Sequence, residues 1–203
     1  SGDDSGYYIY FSDGTLEVKG NFVQDANYTD HYFYASNNHT VVLSGDKEQT
    51  VSCTVNSYFA NLKAVNNNIV VTGSWNFGKL AADATFKSVN TSSFSVDLNN
   101  FTLTVSENIT TSGGTINVNN GCLNVLGNFE QTAGSVIMNG GKLNVSGDYT
   151  IGYSGLLYMK NENDYVLVNG NFTYGGYNYP SSSYYFWDGT LEVKGNFVQD
   201  ANY

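Results

Sequence analysis

Apolar and polar residues alternate along most of this chain, in short runs that end the same way. The recurring phrase is Leu-x-Val-x-Gly-Asn-Phe, as in Leu16 to Phe22 and Leu123 to Phe129, with Gly-Asp-Tyr closing it in Leu143 to Tyr149. Val166 to Phe172 is another close copy, looser ones start at Val41, Ile69 and Leu103, and the first phrase returns at Leu191. Period-two alternation predicts a strand with one buried face. Gly followed by Asn or Asp predicts a corner, because Gly reaches backbone angles that other residues avoid and Asn tolerates them next best. The aromatic ring after the corner can then turn back into the core.

These starts, at 16, 41, 69, 103, 123, 143, 166 and 191, give a strand-based repeat with a period mostly in the twenties. That is the signature of a solenoid with one coil per copy. Stacked copies place Leu over Leu, Val over Val and Asn over Asn, about 4.8 Å apart. One coil cannot stand alone: three buried apolar side chains contribute roughly 5–8 kcal/mol, whereas fixing some twenty backbones costs ~20 kcal/mol or more. The coils must therefore fold together. The expected fold is all-β, a parallel β-helix or β-solenoid of roughly seven to eight coils of about 20–28 residues, with two or three strands per coil.

Further strands are expected at 115–118 and 135–138, and turns at 36–38 and 66–68. Val41, Leu43, Val51, Cys53 and Val55 are expected to point inward. Residues 78–100 depart most from the rhythm and read as short strands with a loop. A longer repeat overlies the coil period: residues 13–28 and 188–203 are the same sixteen letters, DGTLEVKGNFVQDANY, with Phe11 and Phe186 extending the match across Ser12 and Trp187. Residues 1–203 thus read as one continuous solenoid, a module of about 175 residues at 11–185 followed by the start of the next at 186–203. Seven kernel steps per module predict a rod rising about 34 Å per module. The open strand edges predict end-to-end stacking in crystals or filaments, or a need for flanking coils for solubility.

Composition narrows the function. Hydrophobic content of 41% argues against disorder, and a single proline with abundant Thr, Val and Tyr favours strands. The net charge is −10 and every basic residue is Lys, which makes nucleic acid an improbable partner. No membrane-inserting run is visible. Cys53 and Cys122 fall several coils apart, beyond disulfide reach, and are expected as free thiols. The acidic, Arg-free, Asn- and Tyr-rich composition suggests an extracellular or cell-surface protein.

The phrases HTVVLSGDKEQTVS, Ser57-Tyr58-Phe59 with Asn61-Leu62, GTINVNNGCLNVLGNF, YMKNENDYVLVNGNF and GTLEVKGNFVQ together carry a resemblance. They are similar to the long modules of very large repetitive surface or secreted proteins of Gram-positive anaerobes, clostridia especially. The resemblance covers most of the chain and implies an extracellular, adhesin-like β-solenoid. It brings no catalytic residues.

Candidate chemistry is sparse. Asp3, Asp4, Asp13, Glu162 and Asp164 could include a general acid/base pair of a β-helix polysaccharide-degrading enzyme, but solvated turns explain them better. Asn161 to Asp164 concentrates oxygen atoms that Ca²⁺ could use, yet matches no EF-hand or nonapeptide loop, and a polar corner is favoured. His31 and His39 lack partners at ligand spacing and read as surface or strand-end residues. No cofactor, metal or catalytic activity is expected. Tyr174, Tyr177, Tyr179, Tyr184, Tyr185 and Trp187 lie outside the kernels and could stack on glycans or pack against a neighbouring chain. The leading expectation is a structural module of a large bacterial surface protein, forming a rod, fibre or adhesin stalk. Its partners would be adjacent modules, and could include other copies of itself. The alternative is a carbohydrate-binding solenoid.

Overall fold

The computed structural model describes residues 9–24, 33–53, 57–175 and 186–200, and over these the chain is all-β, wound into a parallel β-solenoid. One coil shows the construction. Cys122–Val125 forms a first face, and residues 126–128 turn a corner. Phe129–Ile137 then runs along a second face, bends at Gly134 and continues along a third. Asn139 and Gly140, both with positive φ, turn the last corner into Lys142–Val145 of the next coil. A coil of this kind therefore has three faces.

Inward positions form columns. On the first face Leu103, Leu123, Leu143 and Val166 are in register, as are Val105, Val125, Val145 and Val168, and all are fully buried. The kernel Leu and Val do point inward. On the second face the column runs Phe22, Val51, Val71, Val89, Ile109, Phe129, Tyr149, Phe172, Phe197 without a break. Phe129 and Tyr149 stack face to face at 4.6 Å. Val96, Ile116, Val136 and Leu157 form the column of the third face. Side chains packed layer on layer supply the burial that no coil achieves by itself.

Three expectations need correcting. First, Ile69 does not start a first-face kernel. Ile69–Leu80 pairs with Gln49–Cys53 and Ser88–Asp97 on the second face, and the first-face strand of that coil is the end of Tyr58–Ala64, where Leu62 pairs with Val41. Alternation marks a strand, but not which face it occupies. From Phe22 to Phe197 the second-face column takes eight steps rather than seven, so a module rises about 38 Å at ~4.8 Å per coil.

Second, residues 78–100 are mostly strand: Ile69–Leu80, Ala84–Phe86 and Ser88–Asp97 follow one another with short breaks. Third, the kernel glycines are not there for an unusual backbone angle. The left-handed residues include Gly73, Gly114 and Gly134 at the second corner, and Asn37, Asn99, Asn119 and Asn139 at the third, but none of Gly20, Gly127, Gly147, Gly170 and Gly195. Gly127, Gly147 and Gly170 are needed for close approach. A Cβ at each would lie closer than 3.0 Å to the Oδ1 of Asn108, Asn128 and Asp148 on the preceding coil.

Those oxygens form a ladder up the first corner. Asn108 Oδ1 accepts from Asn128 N at 2.8 Å, and Asn128 Oδ1 from Asp148 N at 2.9 Å. Asp148 Oδ1 accepts from Asn171 N at 2.7 Å, and Asn171 Oδ1 from Asn196 N at 2.9 Å. Each Gly-Asn pair thus acts in two layers: the Gly admits the oxygen from the coil before, and the Asn hands one to the coil after.

Candidate functional site

The polar corner at 160–164 is structural. Asp164 is buried, and its Oδ2 accepts from Lys160 N at 2.7 Å and Asn161 N at 3.0 Å. Its Oδ1 accepts from Gly140 N at 2.5 Å on the preceding coil, while Asn161 Oδ1 caps Asn163 N at 2.9 Å. A carboxylate accepting from three backbone N–H groups closes the turn. Glu162 is exposed on the same turn. Asp13 accepts from Gly14 N at 2.8 Å in an exposed bend. Asp3 and Asp4 lie outside the described residues. Among the described residues no group of three or more His, Cys, Asp or Glu side chains is placed to hold a metal ion.

His39 is at a strand end, as expected, but it is buried rather than on the surface, with only 2% of its area exposed. It packs 5.2 Å from the Phe11 ring and 6.2 Å from that of Phe33, and its Nδ1 has no hydrogen-bond partner among the described residues. Burial lowers its pKa, and the Asp13 carboxylate opposes that shift. His31 lies outside the described residues. Both cysteines are free. Burial pushes the Cys53 thiol up to about 12, against a hydrogen bond with Ser57. Cys122 is half-buried among polar neighbours, donating to Asn124 Oδ1 at 3.3 Å and accepting from Asn144 Nδ2 at 3.5 Å.

Of the six aromatic candidates read from the sequence, Tyr174 and Trp187 are among the described residues. Tyr174 is buried, 6% exposed, with its ring edge-on to Phe186 at 5.5 Å. It sits one inward position beyond Phe172 on the second face, so the alternation that buries Phe172 buries it too. Tyr177, Tyr179, Tyr184 and Tyr185 lie outside the described residues, as does Val55. Trp187 is 67% exposed and borders a cavity of about 360 Å³ with Met159, Phe186, Leu191 and Phe197. Tyr34 and Tyr58, not singled out from sequence, stack on each other at 5.3 Å along the third face. That contact engages ring faces that a sugar would otherwise use. Burial raises the Tyr58 pKa, and Tyr34 adds to the shift. A smaller groove of about 270 Å³ lies between Ile137, Asn139, Tyr158 and Lys160, with the Lys160 ammonium 5.2 Å from the Tyr158 ring centre.

Two glutamines went unrecognised in the sequence because polar residues at inward positions break the alternation. Gln49 is 1% exposed; it donates to Val18 O at 3.0 Å and Gly20 O at 2.6 Å, and accepts from Gly45 N at 2.9 Å. Gln131 donates to Gly134 O at 2.9 Å and Leu156 O at 3.1 Å, and accepts from Tyr149 OH at 2.8 Å. Both satisfy backbone groups where the chain turns.

The geometry bearing most directly on function is the pair of identical coils. Among the described residues, Thr15–Val18 pairs with Thr40–Leu43, on its following side, and Thr190–Val193 with Tyr165–Val168, on its preceding side. The same sequence thus appears once with a described coil following it and once with a described coil preceding it. A Cβ on Gly20 would meet nothing within 4 Å, whereas on Gly195 it would lie 2.5 Å from Gly170 O and 2.9 Å from Asn171 Oδ1. Among the described residues no helix is long and apolar enough to cross a membrane. Comparisons with family models, curated proteins and solved structures find no match to this chain.

Proposed function

We propose that this chain is a structural repeat module of a large extracellular or cell-surface protein, in which modules join without a linker into a rod, fibre or adhesin stalk. The observation that carries this reading is the equivalence of the two repeat coils. Residues 13–24 and 188–200 place the same Leu, Val, Gly, Asn and Phe in the same columns, eight steps apart. A sequence period that is also a whole number of coils lets a module be followed by its like with every column in register. Inward residues, corner ladder and strand pairing then continue through the joint, giving a stiff span rather than beads on a string.

The acidic, Arg-free surface and the resemblance to surface-protein modules support the extracellular placement and a bacterial origin. The carbohydrate-binding alternative has Trp187 as its one exposed ring among the described members of the expected set, and is the weaker reading. A polysaccharide-degrading activity finds no support in Asp164, whose oxygens are engaged by backbone N–H groups.

The test is a single chain carrying two modules, compared with one module by small-angle scattering or electron microscopy. A rod that lengthens by about 38 Å per module, with one cooperative unfolding transition, is expected. Two compact globules joined by a flexible segment would refute it.

A further inference from the structure

Strand register brings tyrosines together at one place on the third face. Tyr10, Tyr34 and Tyr58 are register partners on three successive coils. Among the described residues no other tyrosine has a tyrosine for its partner: Tyr149 lies between Phe129 and Phe172, Tyr165 between Lys142 and Thr190, and Tyr158 beside Ile137. Alternation turns Tyr34 and Tyr58 outward, because their neighbours Ala35 and Phe59 take buried inward positions. Both tyrosines are half-buried, and their rings stack with centres 5.3 Å apart and planes 29° apart. Burial raises the Tyr58 pKa and Tyr34 adds to the shift, so the two phenol groups are within electrostatic reach. The backbones beneath cannot drift apart, since Phe59 is wedged edge-on against Phe22 at 5.1 Å and Phe33 at 5.0 Å.

We propose that Tyr34 and Tyr58 form a site of oxidative cross-linking, at which a peroxidase using hydrogen peroxide joins the two rings by a carbon–carbon bond. Each phenol gives up one electron and one proton and becomes a phenoxyl radical. The radicals couple at the carbons ortho to oxygen, and each ring regains aromaticity by moving its ortho hydrogen to the oxygen. The pair loses two hydrogen atoms in all. One hydrogen peroxide takes up the two electrons and two protons, its O–O bond breaks and two waters leave. Proximity selects the pair, because two radicals held in contact combine before either meets another.

The side chains that most readily absorb oxidant are largely out of reach: Met138, Met159 and Cys53 are buried. Trp187 and the half-buried Cys122 are more open and lie on other coils, but neither forms a bond between tyrosine rings. The product closes a loop across two coils as a disulfide would, in a chain whose two cysteines are both free. The site does not depend on modules joining, since both tyrosines belong to one chain.

The experiment treats the dilute 203-residue chain with hydrogen peroxide and a haem peroxidase, reduces any disulfides, and maps cross-linked tryptic peptides by mass spectrometry. Cleavage at Lys19, Lys47 and Lys63 leaves Tyr58 as the one tyrosine of peptide 48–63 and places Tyr34 in peptide 20–47. The expected main product joins these two peptides with the loss of two hydrogens and carries dityrosine fluorescence. Tyr34→Phe and Tyr58→Phe keep the stacked ring without the phenol, so each should retain the fold and lower this product roughly tenfold. A mixture of isotope-labelled and unlabelled chains should give it with matched labels only. No such product, dityrosine scattered over other pairs, a product that survives Tyr34→Phe through Tyr28 or Tyr32, or one with mixed labels would each overturn the inference.

Discussion

The coils over 101–151 and those over 58–97 solve one packing problem with different residues. In the first region each coil takes 20 residues, Leu103 to Leu123 to Leu143, and the corner after the first face is Glu107-Asn108, then Gly127-Asn128 and Gly147-Asp148, the last two tied to the coil before them. In the second, Ile69–Leu80 and Ser88–Asp97 are long strands whose mutual register shifts twice. There the same corner shrinks to Lys87, which donates to Ile69 O at 2.7 Å and carries no ladder. Yet the inward columns never break. Val71 pairs with Val89, and Trp75 with Phe94, all buried. A solenoid therefore needs an apolar side chain at each inward position in each layer, whereas the corner chemistry can vary. Aromatic mass takes over where the kernel is missing: Phe59 lies 5.1 Å from Trp75, and the Trp75 indole donates to Thr72 O at 2.7 Å.

The comparison breaks most visibly if the columns are not what holds both regions. Val145→Asp would place a carboxylate between Val125 and Val168 in a fully buried column. A loss on the order of 5 kcal/mol or more is expected, read as a collapse of the urea midpoint or failure to fold. A folded variant with near-native stability would mean that this position has access to solvent.

Next in size is a matched pair of truncations. Phe94→Ala in the irregular region should cost about 3–5 kcal/mol, against about 2–5 kcal/mol for Leu143→Ala in the regular one. Both should shift a single transition. If Phe94→Ala instead produced a separate early transition, the irregular coils would be a distinct folding unit and the unbroken columns would not imply cooperativity.

What the sequence revealed follows the same division. Where the corner phrase is present, the alternation located the strands, their buried faces and the stacking of like on like, since Leu, Val and Phe at fixed spacing before and after Gly-Asn admit one register. Where it is absent, Ile69-Val70-Val71-Thr72-Gly73 imitated a kernel, because alternation and a glycine look alike whether the glycine makes room for a neighbour or, as at Gly73, takes a φ of 83°. The lost coil, Leu62 with Ala64, has no Gly after it to announce it. Buried polar staples such as Gln49 and Asp164 were hidden for the opposite reason: they contribute hydrogen bonds at inward positions, and hydropathy reads them as exposed. Tyr174 was misplaced outside the core because its coil continues into residues with no recognisable phrase.

Cys53 offers a third way to sharpen the contrast, through pH. Its folded pKa is about 12 against an ordinary value of 9.0, so the folded chain holds the proton over a range in which the unfolded chain gives it up. Stability from this group is fully present below pH 9 and is lost as pH rises toward 12. The slope in that window should approach about 1.4 kcal/mol per pH unit. Burial also raises the Tyr149 phenol well above its usual value, acting in the same direction at higher pH. Alkaline urea titrations of wild type and Cys53→Ala are the check. The variant should show a shallower decline between pH 9 and pH 10, and equal slopes would mean the thiol is not held protonated by the fold.

The smallest effect separates corner from column. Asn128 is exposed, and its Oδ1 accepts from Asp148 N at 2.9 Å, so water can replace some of what Asn128→Ala removes. The expected cost is about 1 kcal/mol, a small fraction of that for a column residue one layer away. Asn128→Asp should cost less, because Asp148 already makes the equivalent contact in the following coil, accepting from Asn171 N at 2.7 Å. In the irregular region the corresponding corner residue is Lys87, whose ammonium meets Glu48 at 2.6 Å across an exposed surface and supports no rung. Lys87→Ala should therefore disturb stability less than Asn128→Ala does. The order to be measured by chemical denaturation is Asn128→Ala largest, then Asn128→Asp and Lys87→Ala near wild type. Should Lys87→Ala prove the most costly, the irregular corner depends on its ion pair as the regular corner depends on its ladder, and corner chemistry would constrain the fold in both regions.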